Sequence, residues 1–145
     1  MKIFIDVNIF IDVMTKRNGW AESLRVVNLA RSSREIDGST SALTLPLIYF
    51  FRHRVVDEIQ ARKDAQAILK NIELVPLTQA IIARALVAVG ADFEDNIQIA
   101  SAELISVDHL ITRNKKDFTA SPVAVLTPDE WLKLPEVIAL EAKLT

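Results

Sequence analysis

Cysteine is absent from the 145 residues. That excludes disulfide staples and thiolate metal sites and makes a reducing compartment the natural setting. No apolar run approaches the roughly 20 residues of a membrane span, so a soluble, cytoplasmic protein is expected. The opening MKIFIDVNIFIDVM puts a lysine before apolar residues, but Asp6, Asn8 and Asp12 interrupt it and it fails as a signal-peptide core. Basic charge is not in excess: 17 Lys and Arg stand against 19 Asp and Glu, a net charge of −2. A protein that coats duplex nucleic acid is normally basic, so any nucleic-acid contact here must use a local rim or a second subunit. Internal repeats, linkers and low-complexity tracts are also missing.

What is present is half hydrophobic and a quarter charged, sufficient for one domain over residues 1–145 with a real core. Lys2 to Asp6 reads as a strand buried on both faces, because Ile3, Phe4 and Ile5 are consecutive and do not alternate. Asn8 to Met14 follows as a first helix, with a turn at Asn18-Gly19. Trp20, Leu24 and Val27 give helical spacing that fades at Ser32-Ser33. Asp37 to Ser41 is a weak strand candidate of small residues. Leu45 to Phe51 reads as a buried helix with Pro46 in its first turn.

Ala65, Ile68, Leu69 and Ile72 mark another helix, and Glu73 to Val75 a short strand. Ile82, Ala85, Leu86 and Val89 repeat at i, i+3, i+4, i+7 before Gly90. Asp92 opens a helix with Ile97, Ala100 and Leu104 on its inner face. Strands are expected at His109–Thr112 and Val123–Leu126, with a loop or single turn over Asn114–Phe118 and a short helix from Thr127-Pro128 through Trp131. Strands alternating with helices imply an α/β sandwich around a parallel sheet.

Three aspartates stand where an apolar strand or its crossover ends: Asp6 in KIFIDVN, Asp95 in DFEDNIQIASA and Asp117 in HLITRNKKDF. If the first half of the chain winds one way from the Lys2 strand and the second half the other, right-handed crossovers place the His109 strand beside it and bring all three acids to the crevice where open α/β sheets bind ligands. At about 5 Å and an effective dielectric near 20, each like-charged pair costs roughly 3 kcal/mol. A divalent cation relieves that repulsion. Oxygen ligands without histidine or cysteine suit Mg²⁺ or Mn²⁺, and such an ion activates water against a phosphodiester. Neither His53 nor His109 lies near a suitable serine in sequence, so no rival nucleophile stands out.

Each acid has a plainer use. Asp6 would cap the first helix, Asp92 with Asp95 resembles a capping box, and Asp117 would be an ordinary loop residue. Asn8, Thr112 and Asn114 are polar groups at the same edge, able to orient the carboxylates or to serve turns. Glu94 is expected to face solvent and Asp12 to be surface charge. Arg113, Lys115 and Lys116 flank Asp117 and would hold a phosphate backbone. The clusters Arg52-His53-Arg54 and Arg62-Lys63 read as solvated faces.

The segments IDVN at 5–8, SALTL at 41–45, FEDNIQIASA at 93–102, TRNKKDF at 112–118 and VLTPDEWL at 125–132, in order, resemble a PIN domain, the small nuclease fold of VapC-type toxins. The resemblance covers nearly the whole chain. It implies a three-layer sandwich with five parallel strands in the order 3-2-1-4-5 and a metal-dependent ribonuclease acting on RNA. It also implies a homodimer and an antitoxin protein as partner. Asp6, Asp95 and Asp117 then correspond to three of the family's acids, and Asn8 and Thr112 to its accessory polar positions. One departure stands out: Leu47 occupies the place where the family often has a glutamate. Glu94 and Asp92 are the acids that would compensate.

Two other readings compete. A binding or dimerisation module that keeps the fold without the chemistry is favoured by Leu47. A receiver or phosphatase using Asp6 as phosphoryl acceptor lacks a companion lysine, and Asp12 stands six residues on, where the phosphatases require two.

Overall fold

Ile3, Phe4 and Ile5 leave the first strand no solvent-facing side, and the computed structural model seats that strand in the middle of the sheet. Residues 1–145 are described, apart from the Leu69 side chain. Among them, strands β1 (Lys2–Ile5), β2 (Asp37–Ser41), β3 (Glu73–Val75), β4 (His109–Ile111) and β5 (Val125–Leu126) lie in the order β3-β2-β1-β4-β5. All pairings are parallel, with Ile3 opposite Gly38 on one side and His109 on the other. This is the order expected from the resemblance.

Eight α-helices cover the described residues: α1 (Val7–Thr15), α2 (Trp20–Ser32), α3 (Thr44–His53), α4 (Glu58–Leu69), α5 (Gln79–Val87), α6 (Phe93–Leu104), α7 (Pro128–Leu132) and α8 (Pro135–Leu144). A 3-10 turn spans Lys115–Phe118. The alternation of β1 assigns Ile3 and Ile5 to one core, with Ile9, Val26, Ile48 and Trp131, and Phe4 to the other, with Ile97, Ala100, Leu110 and Phe118. A sheet buried on both faces follows directly.

The polar strand DGSTS survives burial because its hydroxyls find carbonyls. Ser39 donates to Ile3 O at 2.9 Å and Thr40 to Ile5 O at 2.7 Å. Gly38 is required by close approach: a Cβ there would lie 2.8 Å from the Ala30 Cβ.

Several expectations need correction. Asp12 is fully buried rather than on the surface, facing Arg17 at 3.2 Å and Arg113 at 3.3 Å. Helix α5 stops at Val87, and its buried positions are Ile81 and Ala85, while Leu86 and Val89 are exposed. The physical reason lies outside the helix. The buried Asn96 amide donates to the carbonyls of Ala85, Ala88 and Ala91, so the chain turns away before Gly90. Leu104 is 61 % exposed, because α6 ends there. Ile72 packs beyond the end of α4, and the expected contact of Leu69 lies outside the described side chains. Helix α8 was not anticipated. It starts at Pro135, a favoured first helical position, buries Val137 and Leu140, and is pinned by Arg25 to Glu141 at 2.6 and 2.9 Å.

Candidate active site

The carboxyl ends of β1 and β4 are tied together by Asp6 N–H donating to Ile111 O at 3.0 Å. That bond sets Asp6 directly beside Thr112. Thr112 Oγ1 donates to Asp6 Oδ2 at 2.9 Å, and Asn8 Nδ2 donates to the same oxygen at 3.3 Å. Asp6 Oδ1 is buried with no hydrogen-bond partner among the described residues. Burial raises the Asp6 carboxyl above its ordinary range, against the opposing pull of the Thr112 and Asn8 side chains and the Val7 and Asn8 backbone. Asp6 is fully buried, so it does not face the crevice openly.

Asp95 enters from the first turn of α6. Its backbone N–H donates to Asp92 Oδ1 at 2.8 Å, so Asp92 caps the helix. The Asp95 carboxyl is pushed up to about 7 by burial first, then by the charges of Asp92, Asp6 and Asp117. The charges of Asp6 and Asp117, both far from Asp95 in sequence, therefore reach it. Asp117, half-buried in the 3-10 turn, borders a cleft of about 360 Å³ together with Asn8, Asp95 and Asn114. Asp92 and exposed Glu94 stand at its rim. The opposite wall is apolar: Ile11, Leu47 and Phe51. Leu47 thus occupies the same cleft where the resemblance leads one to expect an acid. A second opening, about 440 Å³, lies between Gly90, Asp92, Asp95, Lys116 and Asp117.

The basic residues divide. Arg113 faces Asp12, and Lys115 donates to Glu130 at 3.0 and 3.1 Å. Lys116 borders the acids and has no ion pair among the described residues. Elsewhere Arg52 pairs with Asp64 and Arg62 with Glu58.

One residue of the cleft escaped the sequence reading. Gln98 is buried beside Asp95, with both amide atoms unpartnered among the described residues. The available signal was its i, i+3 spacing from Asp95 on one helix face. It was masked because α6 is buried continuously from Asn96 to Ala102, so polarity there does not mark a surface.

Among the described residues, no group of three or more His, Cys, Asp or Glu is placed to hold an ion by itself. Mg²⁺, however, commonly takes one or two carboxylates and keeps several waters. The oxygen-only donors, the orphaned Asp6 Oδ1 and the mutual repulsion at Asp95 fit that requirement. A larger surface hollow, about 830 Å³, lies at the amino edge of the sheet. Among the described residues its lining contains no unpartnered buried polar side chain, so it is the weaker candidate.

A PIN domain family model matches residues 2–116, and the chain belongs to the PIN domain family. No curated protein matches it. Among solved structures it is similar to a toxin–antitoxin complex from Klebsiella pneumoniae, at 24 % identity and TM-score 0.65, covering 87 % of this chain and 97 % of that one. VapBC-1 from nontypeable Haemophilus influenzae is similar at 16 % identity and TM-score 0.67, covering 89 % and 99 %. VapC20 from Mycobacterium tuberculosis, a sarcin-ricin loop cleaving toxin, is similar at 16 % identity and TM-score 0.58, covering 74 % and 86 %. At these identities the likeness carries the fold. No helix among the described residues is long and apolar enough to cross a membrane.

Proposed function

We propose that this chain is a divalent-metal-dependent endoribonuclease, acting in the cytoplasm as the toxin of a toxin–antitoxin pair. The observation that carries the reading is geometric: Asp95 and Asp117 line one cleft with Asn8, and Asn8 donates to the buried Asp6, whose Oδ1 has no partner among the described residues. Membership of the PIN domain family and the likeness to VapBC complexes and to a sarcin-ricin loop cleaving toxin support it.

In this reading Asp95 and Asp117, with Asp6, would hold Mg²⁺ or Mn²⁺. When bound, the ion supplies positive charge against phosphate oxygens and lowers the pKa of water. Thr112 and Asn8 fix the Asp6 carboxylate by occupying Oδ2 and leaving Oδ1 to the ligand. Lys116 meets a phosphate of the RNA backbone, while Arg113 and Lys115 must first leave Asp12 and Glu130 to do so. Phe51 and Leu47 offer an apolar wall suited to the face of a nucleobase. Exposed Phe50, Val55 and Ile59 on one side, and Leu86, Val87 and Val89 on another, provide apolar surface for an antitoxin and a second copy of the chain.

The test is RNA cleavage with Mn²⁺ or Mg²⁺ by the wild type, Asp6→Asn and Asp95→Asn. Both variants should lose activity by at least about a hundredfold, as expected when charge stabilisation at the reacting phosphate is removed. Equal cleavage by all three would end the proposal. A second reading, a binding module without catalysis, is favoured by Leu47 in the cleft. It requires that calorimetry find no Mn²⁺ uptake in the millimolar range.

A further inference from the structure

Gln98 lies one helical turn beyond Asp95 and is 1 % exposed. It borders the acidic cleft with Asn8, Asp95 and Asp117, yet neither Oε1 nor Nε2 has a partner among the described residues. A buried amide atom left unpaired disfavours the folded state, and buried polar groups are ordinarily satisfied. Asn96, two residues earlier, shows the contrast: its buried amide donates to three carbonyls at 3.1 to 3.3 Å and so serves the fold. Gln98 serves no such contact. Its position calls for a ligand in the cleft.

We propose that Gln98 is a ligand-positioning residue whose Oε1 acts as a neutral oxygen donor to the divalent cation, in a cleft where Leu47 offers none. The inference rests on the nuclease reading above. An amide carbonyl is a hard oxygen, matched to Mg²⁺ or Mn²⁺ as carboxylates are. Unlike a fourth acid, it adds a donor without adding repulsion to carboxylates that already oppose one another. An apolar residue at 47 and an amide at 98 are then complementary parts of one site.

The experiment is Mn²⁺ titration calorimetry on the wild type, Gln98→Met and Gln98→Glu, with thermal unfolding of each in EDTA. Gln98→Met should weaken Mn²⁺ binding about tenfold, the low end for a lost supporting donor, and leave the EDTA melting temperature equal or higher, since an unpaired amide is removed. Gln98→Glu should tighten Mn²⁺ binding. Wild-type affinity in Gln98→Met overturns the inference and leaves the nuclease reading standing. If Gln98→Met does not fold, Gln98→Glu decides: tighter binding supports the inference, and unchanged or weaker binding overturns it. A wild type that takes up no Mn²⁺ overturns both.

Discussion

Replacing Asp95 with asparagine should stabilise the cation-free protein even as it removes a group the proposed chemistry needs. The Asp95 carboxyl sits at about 7 against an ordinary 3.8. A raised folded-state value means that the native protein binds more protons than the unfolded chain between those limits. Stability is therefore full below about pH 4 and declines as pH rises to about 7, beyond which it levels off. Three pH units correspond to a ceiling of about 4 kcal/mol. Asp95 is only half-buried, and solvent screening reduces this to about 1–2 kcal/mol.

Asp95→Asn lacks the slope. In EDTA the two proteins should differ little at pH 4, and the variant should be the more stable at pH 8 by about 1–2 kcal/mol. For a domain of this size that is about 3–6 °C in melting temperature. Urea unfolding at pH 4, 6 and 8 measures it. Adding Mn²⁺ should restore the wild type by mass action and leave the variant unmoved. Parallel stability profiles for the two proteins across this range would refute the reasoning, because they would show that neither burial nor the charges of Asp92, Asp6 and Asp117 raise the Asp95 carboxyl.

Two further outcomes follow from packing. Asp12→Ala leaves Arg17 and Arg113 facing an uncharged core; because their side chains are 40 % and 33 % exposed, the loss should be about 2 kcal/mol, less than for a fully dry pair. Urea denaturation checks it, and a change below about 0.5 kcal/mol, the usual range for surface sites, would show that the pairing is idle. Gly38→Ala forces a Cβ to within 2.8 Å of Ala30 and 3.0 Å of Ile72, which should cost about 1–3 kcal/mol by overpacking. A melting temperature equal to the wild type would show that α2 yields without strain.

Much of the fold was legible because local signals agreed with one another. Consecutive apolar residues in KIFI marked a central strand, and Asp92 and Thr127 marked helix starts that the structure caps with those side chains. The neighbourhood of β1 and β4 was reachable from right-handed crossovers once the two halves of the chain were taken to wind in opposite directions. Asp6, Asp95 and Asp117 could be named because each stands at a junction where an element changes type. Where periodicity misled, the deciding contact came from elsewhere in the chain. Asn96 ends α5, and Arg25 with Glu141 fastens α8.

The amino-acid sequence by itself determined most of the elements, the parallel α/β class and the candidate acids, since these depend on patterns a few residues long; the strand order came from the family resemblance, and helix α8 escaped both. Only the tertiary structure decided that Asp12 is buried, that Asp6 is buried with one oxygen unpaired, and that Gln98 borders the acidic cleft without a partner among the described residues. Burial and electrostatic coupling are set by what packs around a side chain. Those neighbours come from segments tens of residues away, so no local pattern encodes them.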